Sequence, residues 1–300
     1  MSKRLLSHLA IFSANLIYGL NYTIAKEIMP DFMHPFGLVF CRILGAILLF
    51  WSFSLFTFRE KIARKDLIRM IVASLFGVAT NQMLFLTGLN YTSPIDASII
   101  MTVNPILVLI VASIFIGEKI TGKKILGIII GATGAITIIL YSGQASFSSD
   151  NFIGNVMVFF NALSYGIYLV TIKPLMLKYN PITVMRWVFL FGFVFVFPIS
   201  YGDFLEISWK AIPLHIYFAI LFVIICATFL AYLLNVYGLK RLNASTVSIY
   251  IYSQPIIASI VAVILGKDEL TFVKITSTIL VFIGVYLVST PQKKKIITKY

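Results

Sequence analysis

The chain has 300 residues, of which 60% are hydrophobic and only 12% are charged, and its mean hydropathy is +0.98. A soluble domain of this length cannot bury so much apolar surface, so the composition excludes a soluble protein and indicates that lipid surrounds most of the chain. The net charge of +13 would suggest nucleic acid in a soluble protein, but lysine and arginine also accumulate in the cytoplasmic loops of membrane proteins. We therefore expect no nucleic-acid partner.

Ten apolar stretches that are long enough to cross a bilayer follow one another along the chain. They are separated by short loops and cover residues 5–28, 35–56, 67–90, 96–116, 123–141, 153–173, 181–200, 213–237, 245–265 and 273–290. The polar, serine-rich segment 141–153 divides them into two groups of five. The sequence thus predicts an all-α integral membrane protein with two units, residues 5–141 and 153–290, followed by a basic tail at residues 291–300.

The second unit contains a copy of a long segment of the first. Residues Gly88 to Gly134 recur 150 positions later as Gly238 to Gly284, and fifteen of these 47 positions are identical. Asn104-Pro105 meets Gln254-Pro255 at the centre of the match, and Tyr18 meets Tyr165 at a slightly different offset of 147. The pattern indicates an internal duplication.

The distribution of basic residues predicts how the chain crosses the membrane. Eighteen lysines and arginines fall on one side, four fall on the other, and two lie within spans. The side with the excess is expected to be cytoplasmic, which places both termini in the cytoplasm and the protein in the plasma membrane, the inner membrane of a bacterium. Because each unit has an odd number of spans, the units are inverted repeats, an architecture common among secondary transporters.

The duplicated motifs identify a family resemblance. Asn104-Pro105 is followed by Gly117-Glu118-Lys119-Ile120-Thr121, and Gln254-Pro255 by Gly266-Lys267-Asp268-Glu269-Leu270-Thr271. A proline-bearing span that leads to a Gly-Glu turn and a glycine-rich closing span resembles the EamA domain of the drug/metabolite transporter superfamily, present twice between about residues 8 and 290. The second copy departs from the pattern, because it has Lys-Asp-Glu where the family has Gly-Glu.

This resemblance implies a ten-helix carrier of small organic solutes, often an exporter of amino acids, metabolites or drugs. It also implies that spans 1, 3, 4, 6, 8 and 9 line a central cavity, whereas spans 5 and 10 are peripheral.

The two repeated prolines are predicted to kink their helices. Pro105 cannot donate a hydrogen bond to the carbonyl of Met101, and Pro255 cannot donate one to that of Ile251. A carbonyl freed in hydrocarbon is costly unless another group satisfies it. Such carbonyls and the neighbouring amides face either a substrate cavity or adjacent helices.

Amide and tyrosine side chains are concentrated in the spans assigned to the cavity. Buried amides are costly unless paired and commonly face a bundle interior, so the set indicates a polar lumen, although each amide could simply join two helices. Tyrosines suit amphipathic solutes, with packing or interfacial anchoring as the alternative. The substrate-binding candidates of these two types are Asn15, Asn21, Asn81, Gln82, Asn104, Asn161, Asn235 and Gln254, with Tyr18, Tyr165 and Tyr232.

Two arginines complete the candidate site. Arg42 and Arg186 lie inside spans 2 and 7, at near-equivalent places in the two units. An unpaired guanidinium within a bilayer is costly. Each arginine is therefore expected to bind a substrate carboxylate or to act as a gating charge at one entrance of the cavity. The alternative is that its side chain extends to the lipid headgroups.

The sequence favours a secondary transporter, specifically an exporter that works by alternating access between inverted repeats. A membrane enzyme would need a nucleophile and base or paired carboxylates within the spans, which the sequence does not supply. A channel or a non-transporting receptor is the remaining alternative. We expect no metal and no cofactor, with a small-molecule substrate and the lipid bilayer as partners.

A stripe of small residues in span 5, formed by Gly127, Gly131 and Ala135, permits close helix contact. Such contact serves packing within one protomer or a dimer face, so the predicted state is a monomer or a weak dimer.

Overall fold

A computed structural model describes residues 2–56, 60–141, 152–264 and 271–290. Across these four ranges the chain forms helices and turns, and it forms no strand. A helix satisfies its own backbone hydrogen bonds, which is what a segment surrounded by lipid requires. The predicted all-helical class is confirmed for this part of the protein.

The first half forms seven helices within the described ranges. They are α1 (Lys3–Ile28), α2 (Pro35–Ser54), α3 (Arg64–Ser74), α4 (Asn81–Tyr91), α5 (Pro94–Met101), α6 (Asn104–Ile116) and α7 (Gly122–Tyr141). A π-helical stretch, Leu75–Thr80, joins α3 to α4 without a break.

The second half repeats this order. Its helices are α8 (Phe152–Lys178), α9 (Pro181–Leu205), α10 (Leu214–Phe222), α11 (Ala231–Leu239), α12 (Ala244–Ser248), α13 (Ser253–Ile264) and α14 (Phe272–Ser289). A short 3-10 helix, Trp209–Ala211, precedes α10. A second π-helical stretch, Val223–Leu230, joins α10 to α11. Another 3-10 helix, Ile249–Tyr252, joins α12 to α13. The two π-helical stretches therefore occupy corresponding places in the two halves.

Six helical stretches in the described ranges are long and apolar enough to cross a membrane. They are Pro35–Ser54, Arg64–Tyr91, Asp96–Ile116, Phe152–Lys178, Pro181–Leu205 and Leu214–Leu239. Four of the predicted spans, at residues 67–90, 96–116, 213–237 and 245–265, are each divided into two or three elements. Two others differ at their ends, where α8 and α9 extend to Lys178 and Leu205. Both helices contain an internal proline near that end, where proline costs one hydrogen bond but does not end the helix.

Local sequence signals set several helix boundaries. Proline occupies the first turn of α2 and of α9, where its missing N–H costs nothing. The side chain of Asn180 accepts a hydrogen bond from the backbone of Ile182 at 3.0 Å and thereby caps α9. Gly117 ends α6 with a φ of +66°, a conformation that suits glycine because it has no Cβ.

The helices of the two halves pack on each other in matched pairs. The first helix of the first half, α1, packs against α11 and α13, and the first helix of the second half, α8, packs against α4 and α6. Corresponding helices also pair directly, α2 with α9 and α7 with α14. The duplication in sequence is therefore matched by an approximate twofold relation in space.

The contact between α7 and α14 is a close approach of two backbones. A Cβ atom built on Gly127 would lie 2.9 Å from the carbonyl oxygen of Gly284, and one built on Gly134 would lie 2.6 Å from that of Ser277. The small-residue stripe of span 5 is thus occupied by another helix of the same chain.

Two lysines make equivalent bonds in the two halves. The Nζ of Lys26 donates hydrogen bonds to the carbonyls of Leu89 at 2.8 Å and Thr92 at 3.3 Å. The Nζ of Lys173 donates to the carbonyls of Leu239 and Leu242, the residues 150 positions further on. Each ammonium therefore donates hydrogen bonds to the free carbonyls at the end of a helix, α4 for Lys26 and α11 for Lys173.

Candidate functional site

A buried polar cavity lies between the two halves, and helices of both halves contribute to its wall. It is lined by residues of α1, α2, α4, α5, α8, α11 and α13 and of the 3-10 helix that precedes α13. The cavity has a volume of about 70 Å³, whereas pockets for drug-sized ligands usually have roughly 300–1,000 Å³. The cavity is therefore smaller than such a pocket.

Ten of the thirteen predicted binding residues line this cavity. They are Asn15, Tyr18, Asn21, Arg42, Asn81, Gln82, Asn161, Tyr165, Tyr232 and Gln254. Four further residues, Tyr22, Phe85, Met101 and Ile251, complete the wall. Phe85, Met101 and Ile251 could not be predicted from the sequence, because apolar side chains in an apolar span give no sign of which way they face.

Amide groups connect the two halves across the cavity. The amide nitrogen of Gln254 donates a hydrogen bond to the amide oxygen of Asn15 at 2.9 Å. Asn81 and Asn161 each donate from their side chain to the other's backbone carbonyl, at 3.4 and 2.8 Å. All four residues are buried or nearly so. The amides thus join the halves and line the cavity at the same time.

Tyrosine hydroxyls form a second polar group at the wall. The side chain of Asn235 donates to the hydroxyl of Tyr18 at 3.2 Å and accepts from that of Tyr165 at 3.3 Å. The hydroxyl of Tyr232 donates to the carbonyl of Gly77 at 2.7 Å. Asn235 therefore lies behind the two tyrosines that correspond in the duplication, and it does not reach the cavity wall itself.

The helix that carries the Asn-Pro motif is interrupted just before it. Helix α5 ends at Met101, and α6 begins at Asn104, with Pro105 in its first turn. The hydroxyl of Tyr252 donates to the carbonyl of Thr102, within the interruption, at 3.0 Å. Asn104 does not line the cavity, because its amide donates to the carbonyl of Ala162 at 2.8 Å.

The second motif has a matching interruption. The 3-10 helix Ile249–Tyr252 precedes α13, whose first turn contains Gln254 and Pro255. Met101, the last residue of α5, and Ile251, in this 3-10 helix, are 150 positions apart and both line the cavity. Irregular backbone within a membrane-spanning segment is tolerated where protein or a cavity surrounds it.

Arg42 points into the cavity and not toward the lipid. Its side chain is only 3% exposed, and its Nε donates to the hydroxyl of Thr228 at 2.8 Å. That hydroxyl in turn donates to the carbonyl of Val223, five residues earlier in the π-helical stretch. Thr228 was not selected from the sequence, since a lone threonine in an apolar run gives no signal of its own.

Arg186 lies outside the cavity, against two tryptophan rings. Its guanidinium carbon is 5.3 Å from the ring centre of Trp51 and 5.9 Å from that of Trp187, so it forms cation–π contacts between α2 and α9. It does not line the cavity. The two arginines that look equivalent in sequence thus occupy different environments.

A wide opening lies at one end of the bundle. It has a volume of about 740 Å³, and five cations contribute to its wall, Arg4, Lys119, Lys124, Lys173 and Arg241. Glu118 pairs with Lys124 at 2.8 Å and accepts a hydrogen bond from Ser245 of the second half. The corresponding Lys-Asp-Glu turn of the second half, residues 266–270, lies outside the described ranges.

Among the residues that the structure describes, no three His, Cys, Asp or Glu side chains cluster in a way that could hold a metal ion. The wall of the cavity offers hydroxyls, amides and one guanidinium, which are groups for binding an organic solute by hydrogen bonds and charge.

Comparison with known proteins identifies the fold. A solved crystal structure aligns with 94% of this chain and 96% of its own, with a TM-score of 0.74 and 16% sequence identity, which shows a shared fold.

Relatives in sequence are transporters. An uncharacterized transporter of Archaeoglobus fulgidus is 30% identical over 273 residues, which are 90% of this chain and 94% of that protein. A probable terminal-alkyne amino-acid exporter of Streptantibioticus cattleyicolor is 25% identical over 135 residues, 45% of this chain and 44% of that protein. The model of the EamA-like transporter family matches residues 5–140 and again residues 152–290. With its apolar helices and two family domains, the chain is a multi-pass membrane protein that belongs to the EamA-like transporter family.

Proposed function

We propose that the protein is a secondary transporter that exports a small organic solute by alternating access. The observation that carries the proposal is the buried polar cavity to which both halves contribute. Hydrogen bonds that join the halves, such as the one from Gln254 to Asn15, form part of the wall. Movement of one half against the other would break these bonds and open the site on one side of the membrane at a time.

In this proposal the chain has ten spans in two inverted repeats, with domain limits near residues 5–141 and 153–290. The lysine contacts support the inversion. Arg4, near the start of α1, shares the basic opening with Lys173, whereas Lys26 lies 22 residues further along the same helix, a rise of about 33 Å at 1.5 Å per residue. Equivalent contacts of the two halves thus occur at opposite ends of the bundle.

The basic opening is assigned to the cytoplasmic side of the plasma membrane, with both termini on that side. Its five cations follow the general excess of lysine and arginine in cytoplasmic loops. The direction of transport is supported by the relative named as an amino-acid exporter. The bound solute would contact the ten cavity residues of the predicted set, supported from behind by Asn104 and Asn235.

Reconstitution in liposomes tests this proposal. We expect flux of a transported solute to saturate with concentration, to need no ATP, and to accelerate when the same solute is present on the opposite side. Replacement of Asn161 by alanine removes a cavity amide that joins the halves, and the initial rate should fall about tenfold, the effect of 1.4 kcal/mol on a barrier.

Thr133→Val is the matched control, because Thr133 is exposed on α7 and its hydroxyl bonds only to the carbonyl of Ile129. Its flux should equal that of the unmodified protein. Flux that rises linearly with concentration and is not accelerated from the opposite side would indicate a channel and contradict the proposal.

A further inference from the structure

Arg42 is a buried cation for which the described part of the chain provides no anion. The ion pairs found there join Lys124 with Glu118 and Lys178 with Asp66. The Nε of Arg42 donates a hydrogen bond to the hydroxyl of Thr228. Its Nη1 is buried without a hydrogen-bond partner.

A guanidinium in this position has lost water without gaining a counter-charge. Removing a charge from water costs several kcal/mol unless it is paired and hydrogen-bonded. Thr228 fixes the Nε side of the guanidinium, so the unpartnered Nη1 remains available for a ligand that enters the cavity. A carboxylate matches this geometry, because its two oxygens accept parallel N–H bonds from one guanidinium.

The remainder of the wall fits the body of such a molecule. Tyr18, Tyr22, Phe85, Met101 and Ile251 provide aromatic and aliphatic surface around the cavity. Tyr22 and Phe85 lie edge to face, with ring centres 5.4 Å apart. No aspartate or glutamate is among the lining residues, so the described wall offers a carboxylate one cation and offers a cationic amine no anion.

We infer that the transported solute is an organic carboxylate with an aromatic or aliphatic body, and that Arg42 binds the carboxylate. This inference rests on the proposed transport function and names its substrate class. The basic opening at one end of the bundle is consistent with it, because five cations and one glutamate raise the local concentration of anions near that surface.

Binding to the purified, full-length protein tests the inference independently of transport. The probes are 3-phenylpropionate, its amide 3-phenylpropanamide, L-phenylalanine and phenethylamine, which share the ring and differ in charge. Thermal unfolding in detergent micelles measures binding, since a ligand of the folded state raises the unfolding temperature. We expect 3-phenylpropionate to stabilise the protein, with the amide binding about 10-fold to 100-fold more weakly, the range for a charged hydrogen bond.

Variants of Arg42 identify the group responsible. Arg42→Met should remove the preference for 3-phenylpropionate over its amide, whereas Arg42→Lys should retain part of it. Arg186→Lys is the control, because Arg186 lies outside the cavity and should leave the preference unchanged. If Arg42→Met does not fold, Thr228→Val gives a second test: it releases the Nε side of the arginine and should weaken 3-phenylpropionate more than the amide.

The outcomes separate this inference from the proposed function. Stabilisation by phenylalanine as well as by 3-phenylpropionate supports it, since both carry the carboxylate. Equal stabilisation by the amide, preference for phenethylamine, or no shift with any carboxylate overturns it. If carboxylates bind through Arg42 and no flux occurs in liposomes, the site assignment holds and the transport proposal fails. If only neutral or cationic solutes show saturable flux, the transport proposal holds and the assignment of Arg42 to a carboxylate fails.

Discussion

At the scale of single residues, the cavity wall combines bonds that hold the protein together with groups left free for a ligand. Tyr232 shows the first kind. Its ring lines the cavity, and its hydroxyl satisfies the carbonyl of Gly77 in the π-helical stretch of the other half. Asn21 and Asn161 show the second kind, because each has a buried amide oxygen without a partner.

The bond from Tyr232 to Gly77 predicts a loss of stability in Tyr232→Phe. The substitution leaves a buried carbonyl without its donor, which costs about 1–3 kcal/mol. Unfolding by denaturant in mixed micelles measures the change.

Tyr217→Phe is the control, since the Tyr217 hydroxyl donates at the same 2.7 Å distance to the carbonyl of Trp209 at the surface. Water can replace that donor, and we expect a change within about 0.5 kcal/mol. A loss in Tyr232→Phe as small as that expected for Tyr217→Phe would show that the buried carbonyl of Gly77 has found another donor.

The lysine pair predicts that two distant substitutions have the same effect. Lys26→Met and Lys173→Met each remove an ammonium from the free carbonyls at a helix end. A hydrogen bond to a charged group contributes about 1.5–3 kcal/mol to stability. Because both lysines are only partly buried, we expect each variant to lose about 1–2 kcal/mol of unfolding free energy in the same assay.

Lys65→Met serves as the reference, because Lys65 is exposed and should change stability by less than about 0.5 kcal/mol. A large loss in one lysine variant and none in the other would contradict the equivalence of the two contacts.

At the scale of helices, glycines determine how closely the peripheral pair α7 and α14 can approach. Gly127→Ala would place a methyl group 2.9 Å from a carbonyl oxygen of α14, so the helices must separate. Overpacking of this kind costs about 1–3 kcal/mol, and the unfolding temperature of the purified protein should fall accordingly.

Gly122→Ala tests the same chemical change on the same helix without the contact. A Cβ on Gly122 meets nothing within 4 Å, so stability should change by less than about 0.5 kcal/mol. If both variants unfold alike, the close contact between α7 and α14 does not limit stability.

The helices show what the sequence could and could not predict. Their positions followed from apolar length, because lipid demands long apolar segments; α2, predicted at residues 35–56, runs from Pro35 to Ser54. The π-helical stretches were not predicted, since their apolar composition is the same as that of an α-helix. They matter for the site: Gly77 and Thr228, both inside such stretches, bind Tyr232 and Arg42.

The site was predictable in its polar members for a related reason. An amide in a span needs a partner, so the amides indicated an interior, and most of them surround one cavity. Whether an arginine faces the cavity depends on how its helix is rotated in the bundle, and the composition of the span does not reveal that rotation. Arg42 and Arg186 therefore looked alike in sequence, although one lies in the cavity and the other between two tryptophans.

At the scale of the whole molecule, two similar halves line one small cavity. Glu118 and Ser245 join the halves at the basic opening, and Gln254 and Asn15 join them at the cavity. In the proposed alternating access, one set of contacts would break while the other holds.

The proposed function requires that the cavity opens to the two sides of the membrane in turn. Thiol labelling of Gln82→Cys, which lies in the cavity wall, tests it most directly. The background would carry Cys41→Ala and Cys226→Ala, which replace both native cysteines, and a membrane-impermeant maleimide would be applied from one side of the liposome at a time. Lys65→Cys on the exposed surface gives the reference for a site reachable from one fixed side.

We predict that the cavity cysteine is labelled from either side, and that a transported solute slows labelling from both. Labelling from one side only, with or without solute, would contradict alternating access through this cavity.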